Sequence, residues 1–274
     1  MGIMKTRILL AAAVGFFFTA SASAIANADT RKAGDSLSYE ITKLVRHTPP
    51  PGLPKELVGA GKKREIGLTL TFSVAIDRVD SDGSAHATMT SHFALPRSVH
   101  IPNPDGRFEG SVLPDGQIVP KYDSSITTAA IEKFQSTRGH IYSPSAEEVS
   151  NLAAFRLSDW LSLFNDVALG AGKRKAFQPG DAWRLVVADK NNELVNFSVT
   201  GTQSYRGHDV VVLAVDSTET TAKGIRTSKG TAYYDPQQSA LIGIHVEMEG
   251  DLSENTDSVG NDASGETLDI NLQP

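Results

Sequence analysis

Ser36 stands in the run Gly34-Asp35-Ser36-Leu37, a setting in which a serine hydroxyl can serve as a hydrolytic nucleophile. Such a serine needs a histidine to take its proton. Here the polar stretch Thr30-Arg31-Lys32-Ala33 precedes it where a buried strand belongs, and none of the 7 histidines has an aspartate three residues earlier, so no catalytic residue is assigned. Gly59-Ala60-Gly61-Lys62 and Gly170-Ala171-Gly172-Lys173 have neither the first glycine of a phosphate-binding loop nor Ser or Thr after the lysine. A looser expectation survives for the cations beside these glycines. Lys62, Lys63 and Arg64 in one loop and Lys173, Arg174 and Lys175 in the other are candidate contacts for anionic head groups.

Metal chemistry finds little support. His86 and His92 fall on the same outward face of an extended segment, about 20 Å apart at the rise of a strand, too far to share one ion. With His245 they would meet only if their strands were neighbours, and the plainer reading is polar residues on a wet sheet face. Asp80, Asp82 and Gly83 look like part of a calcium loop, but Arg78 and Met89 stand where its first and last ligands belong, and a turn accounts for them. The tail carboxylates Asp251, Glu254, Asp257, Asp262 and Glu266 are expected in a solvated tail, with weak calcium binding as the alternative. No metal and no cofactor is expected.

The residue that breaks its surroundings is Arg156, which falls in the apolar half of a helical pattern one turn before Trp160. It can snorkel past a core edge or stack on the indole, or it can stand at the mouth of an apolar cavity and meet a carboxylate or phosphate. The candidate ligand set is therefore Arg156, Trp160 and Phe164 on the helix, with Phe72 and Met89 facing them from strands.

The elements that would hold this set follow from periodicity. Ile66, Leu68, Leu70, Phe72, Val74 and Ile76 alternate with polar or small residues over Glu65 to Val79, and Ser84 to Phe93 returns through Asp80-Ser81-Asp82-Gly83 with Ala85, Ala87, Met89 and Phe93 inward. Ser36 to Arg46 alternates likewise, with Lys43 the exception on its apolar face. A short pair is expected at Phe108 to Leu113 and Gln117 to Val119, and further strands at 182–188, 193–203 and 209–217. Lys229 to Leu252 forms a hairpin across Asp235-Pro236, where proline presets the turn backbone. Leu268 and Ile270 suggest a last edge strand. Ser145 to Leu169 reads as one amphipathic helix with a Ser145/Glu148 capping box, polar at Asn151, Ser158, Asp159, Ser162, Asn165 and Asp166; a shorter helix is expected at Thr127 to Ser136. The fold expected is mainly β (α+β), a curved antiparallel sheet or open barrel of about seven to nine strands with that helix packed on it.

Composition bounds the setting. Lys5 and Arg7, the apolar run Ile8 to Phe18 and the A-x-A sites before Asp29 read as an export signal over residues 1–28, cleaved near Ala28. The run is too short to span a bilayer, and the mature chain is expected to be periplasmic or secreted, with no transmembrane segment. Residues 29–250 are expected as one domain with a helical excursion at 124–170, and 251–274 as an acidic, partly disordered tail. With no cysteine there is no disulfide, thiolate nucleophile or Cys-ligated metal. Without Lys5 and Arg7 the 26 basic residues become 24 against 32 acidic ones, a formal charge of −8 that argues against nucleic acid as partner.

The hairpin Gly230-Thr231-Ala232-Tyr233-Tyr234-Asp235-Pro236, with the signal and the alternating strands, resembles exported β-rich domain families of bacterial envelopes. A curved sheet covered by a helix is also similar to the periplasmic lipoprotein-carrier architecture. Neither resemblance brings a catalytic residue with it. The expectation is a non-catalytic binding protein with an apolar site for a lipid, another hydrophobic small molecule or a lipidated partner. The alternatives are an envelope scaffold with a filled core that recognises another protein, and then a hydrolase.

Overall fold

The computed structural model describes residues 31–47, 64–94, 105–136, 143–187, 193–221, 224–250 and 263–273. The export signal, Lys62, Lys63 and most of the acidic tail lie outside them. Five strands come first: β1 (Ser36–His47), β2 (Arg64–Val79), β3 (Ala85–Ala94), β4 (Gly106–Val112) and β5 (Ile118–Pro120). Three helices follow, α1 (Ser124–Ser136), α2 (Ala146–Trp160) and α3 (Ser162–Gly172). Six more strands complete the described residues: β6 (Ala182–Val187), β7 (Glu193–Tyr205), β8 (His208–Thr221), β9 (Gly224–Asp235), β10 (Ala240–Glu249) and β11 (Ala263–Leu272).

All the strands join one antiparallel sheet of 11, more than the seven to nine expected, in the order β5-β4-β3-β2-β1-β11-β10-β9-β8-β7-β6. The short pair β4–β5 and β11 fall on segments where a short pair and a last edge strand are expected, and with them the total exceeds the expected count. That last strand is not at an edge: it runs between β1 and β10, with Ile41 opposite Ile270 and Ile244 opposite Ile270. Leu268, Ile270 and Leu272 are buried on its inner face, which is why a segment that reads as an acidic tail ends in the middle of the sheet.

The order carries a topological consequence. Neighbours in the sheet are consecutive in the chain except β1 and β11, the first and last strands, which pair; β5 and β6, consecutive in the chain with the helices inserted between them, are the two edges. Flat, an 11-stranded sheet would hold its two edges about 48 Å apart. Yet α3 touches both of them. The Asn165 carboxamide accepts from the Ile118 N–H and donates to the Ile118 carbonyl, both at 2.8 Å, while the Trp183 indole N–H donates to the Gly170 carbonyl at 3.0 Å. Residues 165 and 170 are only about 7.5 Å apart along a helix. The sheet is therefore curled into an open barrel whose seam is filled by α3 rather than closed by strand pairing. Four register shifts, in the β1–β11, β2–β3, β7–β8 and β9–β10 pairs, help to bend it.

The helix expected as one piece is two. Its capping box is present, with Ser145 Oγ accepting from the Glu148 N–H at 3.2 Å and Glu148 Oε2 accepting from the Ser145 N–H at 2.8 Å. It breaks at Leu161, whose ψ of −1° departs from the helical value. The change of direction lets α2 lie against β4 and β5 while α3 turns into the seam. Strand and helix faces meet in one core that includes Phe72 stacked on Tyr39 at 5.0 Å and Phe164 edge-on to Tyr39 at 5.7 Å. The final hairpin turns as expected, with the buried Asp235 carboxylate accepting from the Gln237 and Gln238 N–H groups.

Candidate functional site

The inward rows of six strands change character at one end of the barrel. On β1 the sequence of inward side chains runs Tyr39, Ile41, Lys43; on β11, read from the other direction, Leu272, Ile270, Leu268, Glu266. On β8 Leu213 and Val215 give way to Ser217 and Glu219, and on β9 Tyr234 and Ala232 give way to Ser228 and Arg226. On β7 the row ends in Glu193, and on β10 it ends in Met248. Antiparallel register brings these positions level: Glu266 is opposite Met248, Met248 opposite Ser228, and Ser228 opposite Ser217. Apolar core thus fills the rest of the barrel, and charge collects at this mouth.

Between the mouth and the α2–α3 junction lies a cavity of about 240 Å³. The strands contribute Lys43, Glu193, Glu219, Arg226, Ser228, Met248, Glu266 and Leu268, and the helices contribute Asp159, Trp160, Ser162, Leu163 and Asp166. Lys43, 7% exposed, reaches Glu266 Oε1 at 2.9 Å, and its ammonium lies 5.7 Å from the centre of the Trp160 ring. Opposite each other across β8 and β9, Glu219 and Arg226 pair at 3.0 Å. Charges this far from water persist only when paired or hydrogen-bonded. Two lining donors remain without a partner among the described residues, the Trp160 indole N–H and the Arg226 Nε–H.

The polar face of the helical pattern explains why the helices contribute so much charge. In a helix on the outside of a sheet that face meets solvent. Here Asn165 seals the β5 edge, Asn151 accepts from the Asp123 N–H, and Asp159, Ser162 and Asp166 line the cavity.

Of the candidate ligand set, the structure places only Trp160 at this cavity. Phe72, Met89 and Phe164 are buried in the filled core, and Arg156 lies half-buried on α2 outside the cavity lining. Among the candidate anion contacts, Lys173 caps the end of α3 and Lys175 is exposed. Arg174 is bonded to Asp181 at 3.0 Å and lies over the Trp183 ring at 4.7 Å, while Arg64 opens β2 and its side chain lies outside the described residues. Ser36 begins β1 in register with Ala75. His86, His92 and His245 bond Asp80, Asp105 and Asp269 respectively. The strands of the first two and the last, β3 and β10, are separated by three others, so these histidines do not gather. Among the described residues no group of three His, Cys, Asp or Glu could hold a metal ion.

The residues that sequence reasoning missed are Glu193, Glu219 and Arg226, together with Lys43, Glu266 and Asp166, which it saw but did not place. Their signal was a charge on an inward position of an otherwise apolar row.

No family model matches the chain, and no curated protein does. Among solved structures it is similar to one on lipid–protein interactions in lipovitellin, at 12% identity with a TM-score of 0.42 over 89% of this chain and 25% of that one. It is also similar to a Bacteroides fragilis protein described as exported and as having a YmcC-like fold, at 11% identity with a TM-score of 0.31 over 89% of this chain and 97% of that one. The chain spans a quarter of the length of the lipovitellin chain.

Proposed function

We propose that the protein is an exported, non-catalytic binding protein of the cell envelope whose site is the charged cavity beneath the α2–α3 junction. The observation that carries this reading is the change from packed apolar core to paired charge at one level of the barrel, with a void of about 240 Å³ left between the charges. Polar side chains are expensive to bury and add less to stability than apolar ones of the same size. A mouth lined by them, backed by a close-packed core, is suited to recognising a solute by charge and hydrogen bonding. The volume lies below the about 300–1,000 Å³ of sites for drug-sized ligands, so the favoured solute is small. A lipid would place its head among these charges and the start of its acyl chain against Trp160, Leu163, Met248 and Leu268, and the rest of that chain would need room that the packed core must open.

The test is native mass spectrometry and thermal shift on the mature chain with panels of small polar solutes, fatty acids and phospholipids, repeated on Ser228→Phe. Phenylalanine at this floor position obstructs the void. A saturating solute at about a hundred times its Kd adds roughly 2.7 kcal/mol to stability. That stabilisation is expected in the wild type and absent in the variant. A ligand that binds both proteins equally places the site elsewhere, and a co-purified lipid lost from Ser228→Phe makes the occupant an amphiphile.

A further inference from the structure

Resting on the reading of the cavity as a binding site, we infer that its ligand is a small neutral polyol, a molecule of monosaccharide size whose hydroxyl groups both donate and accept hydrogen bonds. Three side chains lining the void carry this inference, Lys43, Glu193 and Ser228, which are 7%, 8% and 5% exposed. Each has bonding capacity that the described residues do not use. An ammonium has three N–H donors, and that of Lys43 gives one to Glu266 Oε1 at 2.9 Å. Neither the Glu193 carboxylate, at the start of β7, nor the Ser228 hydroxyl, on β9, has a hydrogen-bond partner among the described residues. Their oxygens keep accessible surface, and in side chains this buried that surface is the void they line.

The lining thus offers a donor in Lys43, an acceptor in Glu193 and both in Ser228, and ligands of a single sign match it poorly. An anion only accepts, so it leaves Glu193 unmet and stands at short range from the carboxylates of Glu193, Glu219 and Glu266. An ammonium only donates, so it leaves the spare Lys43 N–H groups unmet and adds a cation beside Lys43 and Arg226. A hydroxyl group meets all three side chains. Water does so too, but it gains nothing from Leu163, Met248 and Leu268, which line the same void and which the C–H face of a polyol covers. The 240 Å³ hold the equivalent of roughly eight waters at about 30 Å³ each, room for a polyol of about eight to twelve non-hydrogen atoms.

The chain has 2 tryptophans, which gives the test an internal control. Trp183 has its indole N–H bonded to Gly170, away from the cavity, whereas Trp160 lines it. The mature protein is titrated with xylitol, myo-inositol and D-glucose (neutral polyols), 1-propanol (a single hydroxyl), propylamine (cation) and propionate (anion), and the two indole resonances are followed by NMR. At least one polyol is expected to move the Trp160 resonance and leave that of Trp183 in place, with 1-propanol weaker and the charged probes without effect. Glu193→Leu is expected to weaken that polyol by about tenfold, and Glu193→Gln, whose carboxamide keeps an acceptor, to retain most of the affinity. Because the Glu193 carboxylate has no cation to lose, Tm in Glu193→Leu should not fall below that of the wild type. Propylamine or propionate binding as tightly as the polyols overturns the inference, as does an unchanged affinity in Glu193→Leu. If a charged probe or another panel solute binds and Ser228→Phe abolishes it while no polyol binds, the polyol falls and the cavity reading stands; if no probe and no panel solute binds, both fall.

Discussion

Replacing Asn165 by alanine removes the contact that holds α3 to the β5 edge. Its carboxamide acts as one residue of an extra strand, accepting one hydrogen bond from Ile118 and donating another to it, both at 2.8 Å. Ile118 is itself 1% exposed, so alanine strands one N–H and one C=O at a buried sheet edge. Each orphaned group costs about 1–3 kcal/mol if it stays dry. Because Asn165 is half-buried, water can reach part of the gap, and a total loss of about 2–4 kcal/mol is expected. At about 2–4 °C per kcal/mol for a domain of this size, Tm should fall by roughly 4–16 °C. Thermal unfolding measures the fall, and hydrogen exchange at the Ile118 amide should accelerate in the same variant. Asn165→Asp separates the seam from simple loss of size: it keeps an acceptor for the N–H but sets a carboxylate against the Ile118 carbonyl, so it should be no more stable than alanine at neutral pH. A Tm for Asn165→Ala within about 1 °C of the wild type, with Ile118 exchange unchanged, would refute the helix-filled seam.

Breaking the Lys43–Glu266 pair on one side, as Lys43→Met or Glu266→Gln, should destabilise by about 3–5 kcal/mol, and the double Lys43→Met/Glu266→Met should recover most of it; losses that simply add would deny the coupling. The Glu148 carboxyl is lowered from 4.5 to about 2, first by the bond from Lys133 and then by the Ser145 N–H. Its contribution to α2 is therefore complete above pH 4.5 and lost as pH falls toward 2. Amide exchange at the start of α2 should rise through that window in the wild type and stay flat in Glu148→Gln. At Gly230 a methyl group would run into the His245 carbonyl on the neighbouring strand, so Gly230→Ala should shift the β9–β10 register and lower stability by about 1–3 kcal/mol or more, as read by urea titration.

Local patterns on the chain already contain most of the elements. The alternation in β2 and β3, the Asp235-Pro236 hairpin and the Ser145/Glu148 box are each decided by neighbours a few residues away, and the structure keeps all three. What pairs with what is decided elsewhere. Tyr39 lies opposite Leu272, and no periodicity within either segment says so. The break at Leu161 has the same origin: nothing in the helical pattern ends there, and the bend serves contacts with β5 and β6 that exist only once the sheet has curled. Lys43 was visible as an irregularity on an apolar face, but its partner Glu266 lies in what reads as a tail.

A sheet that covers one side of a helix asks only that side to be apolar. A sheet that wraps round until its two edges meet the same helix asks the other side to bond an edge strand or line the gap, which is where Asn165, Ser162 and Asp166 find themselves, with the exposed Asp159 at its rim. Buried polar groups then require polar partners across the gap, and this accounts for charge on the inward rows at the level of the α2–α3 junction. It does not account for the space left between them. A structural need is met when each carboxylate has its cation, as Glu266 has Lys43 and Glu219 has Arg226. Closing the seam would be served as well by a neutral lining. A space of about 240 Å³ beside those pairs, which packing has not filled, is therefore the part of the molecule that folding leaves unexplained and that binding a solute would explain.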